Sequence, residues 1–192
     1  NSIQMWLSIA VYSPQRDHFV AIFDVITQRK RAEIKLRQLS LAVEQSPESI
    51  VITDLHGCIE YVNEAFVRIT GYERDEVLGQ NSRVLQSGRT PPETFTALWT
   101  ALVMGQSWQG EFINRRKDGR EYVEFARLAP LRQPDGTVTH YIAVKEDITE
   151  KKRLDQELDR HRHHLEELVE RRTVQLAEAR DRAESANRAK SA

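Results

Sequence analysis

Several features that mark whole classes of protein are missing from this chain of 192 residues. Cys58 is its one cysteine, which excludes an intramolecular disulfide and a cysteine-rich zinc site. The strand-like residues around Cys58 favour a small buried hydrophobe over a reactive thiol. There is no run of about 18 apolar residues, so we expect no membrane-spanning helix. The formal net charge is −1, too small to attract nucleic acid or an anionic membrane surface.

These absences favour a cytoplasmic segment that itself contacts neither membrane nor nucleic acid, and an anchor elsewhere in a longer parent protein is compatible with them. The composition that remains, 40% hydrophobic and 30% charged, is that of an ordinary globular protein. It is sufficient for one core of about 100–150 residues, with chain left over.

Glycine and proline are absent from Glu150 to the end of the chain. Apolar and histidine side chains recur there at alternating four- and three-residue spacings, typical of a coiled-coil seam: Leu154, Leu158, His161, Leu165 and Leu168. The seam resumes at Leu176, with Arg172 between, and this four-residue stutter would locally unwind a supercoil. We therefore predict a long parallel two-helix coiled coil, and with it a homodimer.

One short sequence occurs twice. "AIFDVITQRKR" at residues 21–31 recurs as "AVKEDITEKKR" at residues 143–153. Each copy is typical of a strand end followed by Ile-Thr and a basic helix start, and Thr27 and Thr149 are suitable N-caps. The repeat predicts the same strand-to-helix junction at two places in the chain.

The repeat and the composition divide the chain into four segments. Residues 1–27 are interpreted as the last two strands of a truncated domain, and residues 28–46 as an amphipathic linker helix. A complete domain is predicted over residues 47–149. Residues 150–192 form the predicted coiled-coil helix.

Strand and helix signals alternate within the predicted complete domain. Two β-branched runs come first, and Thr90-Pro91-Pro92-Glu93 is then a capping box with proline at the first helical position. The helix that it opens ends at Gly105. Three more strands follow, separated by the hairpin turns Asp118-Gly119 and Asp135-Gly136. This order predicts an α+β fold, a five-stranded antiparallel sheet with helices across one face.

The ordered motifs of this domain resemble the PAS sensor domain with its C-terminal PAC motif. "YVNEAFVRITGYERDEVLGQN" is similar to the first half, and "WQGEFINRRKDGREYVE" with "YIAVKEDIT" to the second. The tail beginning "HLEELVERR" resembles the signalling helix of hybrid sensor histidine kinases, which leads toward a dimerisation domain absent from this chain. The resemblance implies a PAS fold, a downstream kinase core in a parent two-component protein, and no catalysis in the chain itself.

The polar stretch "GQNSRVLQSG" at residues 79–88 resembles the flavin-wrapping segment of light-oxygen-voltage PAS domains. Ser82 stands where that family has its reactive cysteine, so blue-light adduct chemistry is not expected. Lys145 stands where that family has a glutamine. Redox-sensing flavin PAS domains, which share the pattern W-x-G-x-x-x-NRRK-x-G, are a closer resemblance.

The resemblance implies an FAD site with amides at the polar edge of the flavin ring, a tryptophan beside its plane and an arginine near the phosphates. The residues expected to hold FAD are Asn81, Arg83, Gln86, Trp99, Trp108 and Asn114. Strand alternation independently places Trp108 and Asn114 on one face. A buried amide left without a partner costs roughly 1–3 kcal/mol, and a ligand edge would satisfy it.

The residues leave a second interpretation open, a ligand-free dimerisation and spacer module. In it Asn114 bonds to backbone and the tryptophans only fill the core. Haem is disfavoured, because helix 91–104 offers no histidine as an axial ligand. The sequence "HRHH" at residues 161–164 is interpreted as solvated or seam histidine, and no metal site is predicted.

A sensor must pass its signal on. We expect the last strand of the domain to transmit a change in the pocket through Asp147 and Thr149 into the coiled coil. Arg172, at the stutter, marks the predicted bistable element of that relay.

Overall fold

The structure of the protein is a computed structural model that describes residues 5–190, with the side chains at 177–179 and 181–190 outside the description. The outermost residues of the predicted segments 1–27 and 150–192 therefore lie outside the described part. Within it, the strands are β1 (Leu7–Gln15), β2 (His18–Val25), β3 (Ser49–Thr53), β4 (Ile59–Val62), β5 (Trp108–Arg115), β6 (Glu121–Arg132) and β7 (Val138–Asp147). The helices are α1 (Thr27–Glu44), α2 (Glu64–Thr70), α3 (Arg74–Val77), α4 (Pro92–Val103) and α5 (Thr149–Lys190), and a 3₁₀ turn covers Ser82–Leu85.

Five of these strands form one antiparallel sheet in the order β4-β3-β7-β6-β5. Two hydrophobic clusters lie between its inner face and the helices. One contains Val51, Ile59, Val62, Phe66, Val77, Leu85 and Ala143. The other contains Leu98, Leu102, Phe112, Ala126 and Tyr141. The predicted α+β architecture is confirmed, and its core lies on the sheet face that α4 covers.

The start of α4 differs from the prediction. A proline is at the first helical position, but it is Pro92 rather than the predicted Pro91; the N-cap is Pro91 and no side chain caps the helix. The hydroxyl of Thr90 instead accepts a hydrogen bond from the N–H of Ile113 at 2.8 Å and donates to its carbonyl at 3.2 Å. The predicted capping box is wrong because strand β5 offers Thr90 both bonding groups of one residue.

The hydroxyls of the two repeated threonines also bond to neighbouring segments of the chain rather than within their own helices. The N-cap of α1 is Ile26, without a side-chain cap, and the hydroxyl of Thr27 accepts from the N–H of Trp6 at 2.9 Å. The hydroxyl of Thr149 accepts from the N–H of Val123 at 2.8 Å. Both predicted N-caps are wrong for the same reason. The hydroxyl of Thr149 bonds to β6, the partner of β7, and the hydroxyl of Thr27 bonds to Trp6, the residue directly before β1, the partner of β2.

Backbone bonds at the two junctions match as well. The N–H of Ile26 donates to the carbonyl of Trp6 at 3.0 Å, and the N–H of Ile148 donates to the carbonyl of Val123 at 2.9 Å. The repeated sequence therefore folds into the same strand-to-helix junction twice.

The first junction belongs to the β1–β2 hairpin, a separate two-stranded sheet. Its register pairs apolar side chains directly across the strands, Leu7 with Val25 and Ile9 with Phe23. All four side chains are exposed. The hairpin therefore has an apolar face that no other described part of the chain covers.

The second junction opens α5, one continuous helix that runs through Arg172 to Lys190. Its predicted seam leucines are exposed in the single chain: Leu154, Leu158, Leu165, Leu168 and Leu176. Within the described residues, no helix is long and apolar enough to cross a membrane.

Candidate functional site

A cavity lies between the inner face of the sheet, the 3₁₀ turn and α4. Its volume is about 90 Å³. Its polar lining residues are Thr53, Asn81, Ser82, Arg83, Gln86, Asn114 and Lys145. The rest of the wall is largely aliphatic and aromatic, so the polar groups stand out against apolar surroundings.

The structure brings five of the six predicted FAD-binding residues together around this cavity. Asn81, Arg83, Gln86, Trp99 and Asn114 all line it. The indole of Trp99 lies edge-on to the ring of Tyr141, with centroids 6.0 Å apart. Arg83 and Gln86 are largely exposed and therefore lie at the mouth.

Trp108 is outside the set of described residues that line the cavity. Its ring packs against Phe112, with centroids 5.2 Å apart. It also lies over Gly110, where an added Cβ would approach the indole to 2.5 Å. Trp108 shares a face with Asn114 as predicted, but the missing side chain of Gly110 lets the indole fold along the strand.

The polar loop is held largely by its own hydrogen bonds. The side-chain oxygen of Asn81 accepts from the N–H of Arg83 at 3.1 Å, and its amide nitrogen donates to the carbonyl of His56 at 2.9 Å. Gln86 forms an isolated backbone bridge with Asn114. These bonds tie the mouth of the cavity to the β3–β4 turn on one side and to β5 on the other.

Glu124 is the polar centre of the site, and the sequence analysis missed it. One oxygen of its carboxylate accepts from the amide of Asn114 at 2.9 Å and from the ammonium of Lys145 at 2.7 Å. The other oxygen accepts from the phenol of Tyr122 at 3.1 Å. The side-chain amide of Asn114 thus donates to a carboxylate. The predicted partners were a ligand or the backbone, so the prediction missed this one.

The signal for Glu124 was present in "EYVEFA", where alternation places Tyr122, Glu124 and Ala126 on one face of β6. Glu124 is only 3% exposed, and a carboxylate so buried needs a cation and further donors. Burial and the adjacent negative charge of Glu124 raise the pKa of Tyr122 well above its ordinary value, so its phenol remains a donor.

A second polar group lies at the start of α5. The guanidinium of Arg116 pairs with Asp147, donates to the carbonyl of Ile69, and lies 4.5 Å from the ring centroid of Tyr122. Asp147 Oδ1 also accepts from the hydroxyl of Thr149 at 2.6 Å and from its N–H at 3.0 Å.

These contacts set the charge of the junction. Burial alone would raise the pKa of Asp147, but the bonds from Thr149 and Arg116 hold that pKa below its ordinary value. The structure therefore brings two of the predicted relay residues into direct contact. Arg172 is exposed and 23 residues farther along α5, about 35 Å at the helical rise.

Comparison with known proteins decides the family. A family model described as the PAS domain matches residues 47–150. The chain belongs to the PAS domain family. The PAS resemblance predicted from the motifs is confirmed.

Curated relatives of this PAS domain are signalling and regulatory proteins by their names. The nitrogen fixation regulatory protein of Klebsiella oxytoca is 40% identical over 119 residues, which cover 62% of this chain and 24% of that protein. Blue-light-activated histidine kinase 1 of Erythrobacter litoralis is 34% identical over 110 residues, covering 56% of this chain and 31% of the kinase. The chain thus spans about a quarter to a third of the length of these relatives.

Solved structures with the same PAS fold include light-oxygen-voltage proteins. An RNA-binding light-oxygen-voltage receptor matches with a TM-score of 0.62 and 28% identity, over 84% of this chain and 44% of the receptor chain. The light-oxygen-voltage domain of an Erythrobacter litoralis blue-light-activated histidine kinase matches with a TM-score of 0.52 and 29% identity, over 55% of this chain and 99% of that domain.

Proposed function

We propose that this PAS domain is the sensory input module of a two-component histidine kinase, which senses a ligand or redox state in its cavity and passes the signal to α5. The observation that carries the proposal is the buried cluster of Glu124, Lys145 and Asn114 at the polar end of an otherwise apolar cavity. A mostly apolar cavity with a few convergent polar groups is characteristic of a ligand-binding site. Histidine kinases among the relatives support the kinase context.

The cue that we propose is the redox state of a bound flavin, with FAD as the specific candidate. Blue-light-activated kinases and light-oxygen-voltage domains among the similar proteins support a flavin. The polar lining also suits the ring, because its edge alternates donors and acceptors that the amides of Asn81, Gln86 and Asn114 can match. Arg83 at the mouth would face the phosphates, and Trp99 would lie beside the ring.

A bound flavin would supply a reversible redox couple. The contribution of the chain is electrostatic. Lys145 brings a positive charge to the cavity, and its side chain is 11% exposed, so solvent screens that charge weakly. Ser82 lines the cavity without a thiol, which favours a response to oxidation rather than to light.

The cavity volume sets a condition on this proposal. Pockets that hold small molecules of drug size are typically about 300–1,000 Å³, and this cavity is about 90 Å³. The flavin ring therefore requires the aromatic side chains of the wall, Phe95 and Trp99 among them, to move outward. The polar lining matches the hydrogen-bonding groups of a flavin, and the aromatic side chains of the wall have to move before the ring can enter.

The same small volume favours a second candidate function, a ligand-free PAS spacer and dimerisation module. In that case the ion pair of Glu124 and Lys145 is structural, and α5 sets only the distance between neighbouring domains.

Absorption spectroscopy distinguishes the two candidates. The sensor proposal expects the purified chain, alone or after addition of FAD, to show a visible flavin band that dithionite bleaches. Asn114→Leu removes one amide from the cavity and should weaken flavin retention. Gln109→Leu is the matched control, because Gln109 is an exposed amide on the opposite face of the same strand. A protein that stays colourless with excess FAD favours the spacer.

The quaternary proposal concerns α5. We propose that two copies pair through the leucine seam into a parallel coiled coil over residues 150–192 and that a kinase core follows in the parent protein. The support is the row of exposed leucines on a continuous helix, since a lone helix gains little by exposing such a seam. Arg172 at the stutter remains the proposed element of adjustable pitch.

The domain proposal concerns the other end. We propose that residues 1–27 are the final hairpin of a preceding PAS domain and residues 28–46 the helix that links it to the PAS domain at 47–149. The matching hydrogen bonds of Thr27 and Thr149 support this. A hairpin is marginal alone in water, so its apolar face requires a cover.

A further inference from the structure

A series of contacts leads from the cavity to the first turn of α5. Lys145 lines the cavity and pairs with Glu124 at 2.7 Å. The other oxygen of Glu124 accepts from the hydroxyl of Tyr122 at 3.1 Å. The ring of Tyr122 lies against the guanidinium of Arg116, 4.5 Å from carbon to centroid. Arg116 pairs with Asp147, two residues before α5. Each member of this series contacts the next one directly.

Each member is shielded from solvent. Tyr122 is 1% exposed and Glu124 is 3% exposed, and the side chains of Arg116 and Asp147 are 22% and 23% exposed. Charges in such surroundings act on one another with little screening. A change in the charge around Glu124 therefore alters its hydrogen bonds to its donors, because little water is present to screen it.

We propose that Tyr122 and Arg116 are positioning residues that couple the charge of the cavity to the start of α5. A ligand that takes over the positive charge of Lys145 leaves Glu124 to rely on its remaining donors, the hydroxyl of Tyr122 and the amide of Asn114. The ring of Tyr122 follows its hydroxyl, and the hold of Arg116 on Asp147 loosens.

The consequence falls on two hydrogen bonds that backbone N–H groups donate. The N–H of Thr149 donates to Asp147 at 3.0 Å, and the N–H of Lys152 donates to the carbonyl of Ile148 at 2.9 Å. Both belong to the first turn of α5, where a change in Asp147 acts first. The ligand class that this mechanism favours is an anion, or a group that becomes anionic on reduction. The inference rests on the proposed sensory function, because it describes how the same cavity is read out.

The test is a double-mutant cycle measured without any ligand, in the full chain. Amide hydrogen exchange at Thr149 and Lys152 is compared among wild type, Lys145→Met, Tyr122→Phe and the double variant. Lys145→Met should accelerate exchange by about three- to tenfold, a coupling typical of residues in one network. In the Tyr122→Phe background it should add nothing. Lys145→Arg keeps the charge and should restore wild-type rates.

One further variant and one fallback measurement make the test decisive. Thr53→Val alters a hydroxyl in the wall of the same cavity that donates to the backbone of Asp54, and it should leave both amides unchanged. If Lys145→Met fails to fold, Tyr122→Phe still leaves the ion pair intact and should by itself accelerate exchange at both amides.

The inference is overturned by equal acceleration from Lys145→Met in both Tyr122 backgrounds, or by wild-type exchange in Tyr122→Phe. Because the cycle contains no flavin, its outcome is separate from that of the absorption experiment. A colourless protein with a non-additive cycle would refute flavin sensing while supporting the coupling, and a yellow protein with an additive cycle would do the reverse.

Discussion

Thr149→Ala tests how much the hydrogen bonds of Thr149 stabilise the junction between β7 and α5. The hydroxyl donates to Asp147 at 2.6 Å and accepts from the N–H of Val123 at 2.8 Å. A neutral hydrogen bond contributes a net of about 0.5–1.5 kcal/mol, and one to a charged group about 1.5–3 kcal/mol. Thr149 is half-buried, so water replaces part of both bonds. We expect the free energy of unfolding to fall by about 2 kcal/mol. The loss of an exposed helix N-cap typically costs only about 1 kcal/mol.

The repeated sequence provides the matched control. Thr27 occupies the same place in the first junction and accepts from the N–H of Trp6, but Trp6 is exposed and no carboxylate is involved, since Val25 stands where Asp147 does in the second copy. Thr27→Ala should lower the free energy of unfolding by less than about 0.5 kcal/mol. Both variants are measured by urea denaturation followed by far-ultraviolet circular dichroism.

The pH dependence of Thr149→Ala has a definite sign. The pKa of Asp147 is lowered in the folded chain, so its contribution to stability is present above the unfolded pKa of about 3.9 and is lost as pH falls through the folded value. Removing the Thr149 hydroxyl raises the pKa of Asp147 toward its ordinary value. The difference in stability between wild type and variant should therefore be largest near neutral pH and shrink below about pH 4.

Equal losses from Thr149→Ala and Thr27→Ala would refute this reasoning, because the two hydroxyls would then act as simple local contacts. A loss that does not change with pH would refute the part assigned to Asp147.

Three further predictions concern other parts of the chain. Gly110→Ala places a Cβ 2.5 Å from the indole of Trp108, so we expect a loss of about 1–3 kcal/mol in urea unfolding, and an unchanged midpoint would contradict this packing. Tyr61→Phe removes the 2.7 Å bond from the phenol to Glu44 and should weaken the docking of the end of α1 by about 1 kcal/mol, seen as faster hydrogen exchange there. Leu158→Asp places a charge in the proposed seam and should convert a dimer to a monomer in light scattering; a monomeric wild type would contradict the coiled coil.

Much of the fold was accessible from the sequence, because the signals were local. Gly119 and Gly136 have φ of 89° and 87°, the left-handed conformation that the two predicted hairpin turns require. Alternation along β5 correctly placed Phe112 and Asn114 on the inner face. The motif resemblance gave the family, and five of the six predicted cavity residues lie together.

The three threonines show where local reasoning stopped. Thr27, Thr90 and Thr149 all precede or open a helix, and each hydroxyl was predicted to bond within its own helix. Each bonds instead to a residue in or directly before a strand, at least 21 residues away in the chain. A hydroxyl near a helix start can do either, and the choice depends on which strand lies beside it.

The sequence by itself determined the turns, the strand alternation and the length of α5, since each depends on residues a few positions apart. Only the tertiary structure decided that Glu124 is the centre of the cavity. Its three donors are 2, 10 and 21 residues away, on three strands, and the pairing of β5, β6 and β7 brings them within 3.1 Å of one carboxylate. A glutamate in a strand is ordinarily solvated, and the cation that makes its burial tolerable comes from a strand whose neighbour is set by folding.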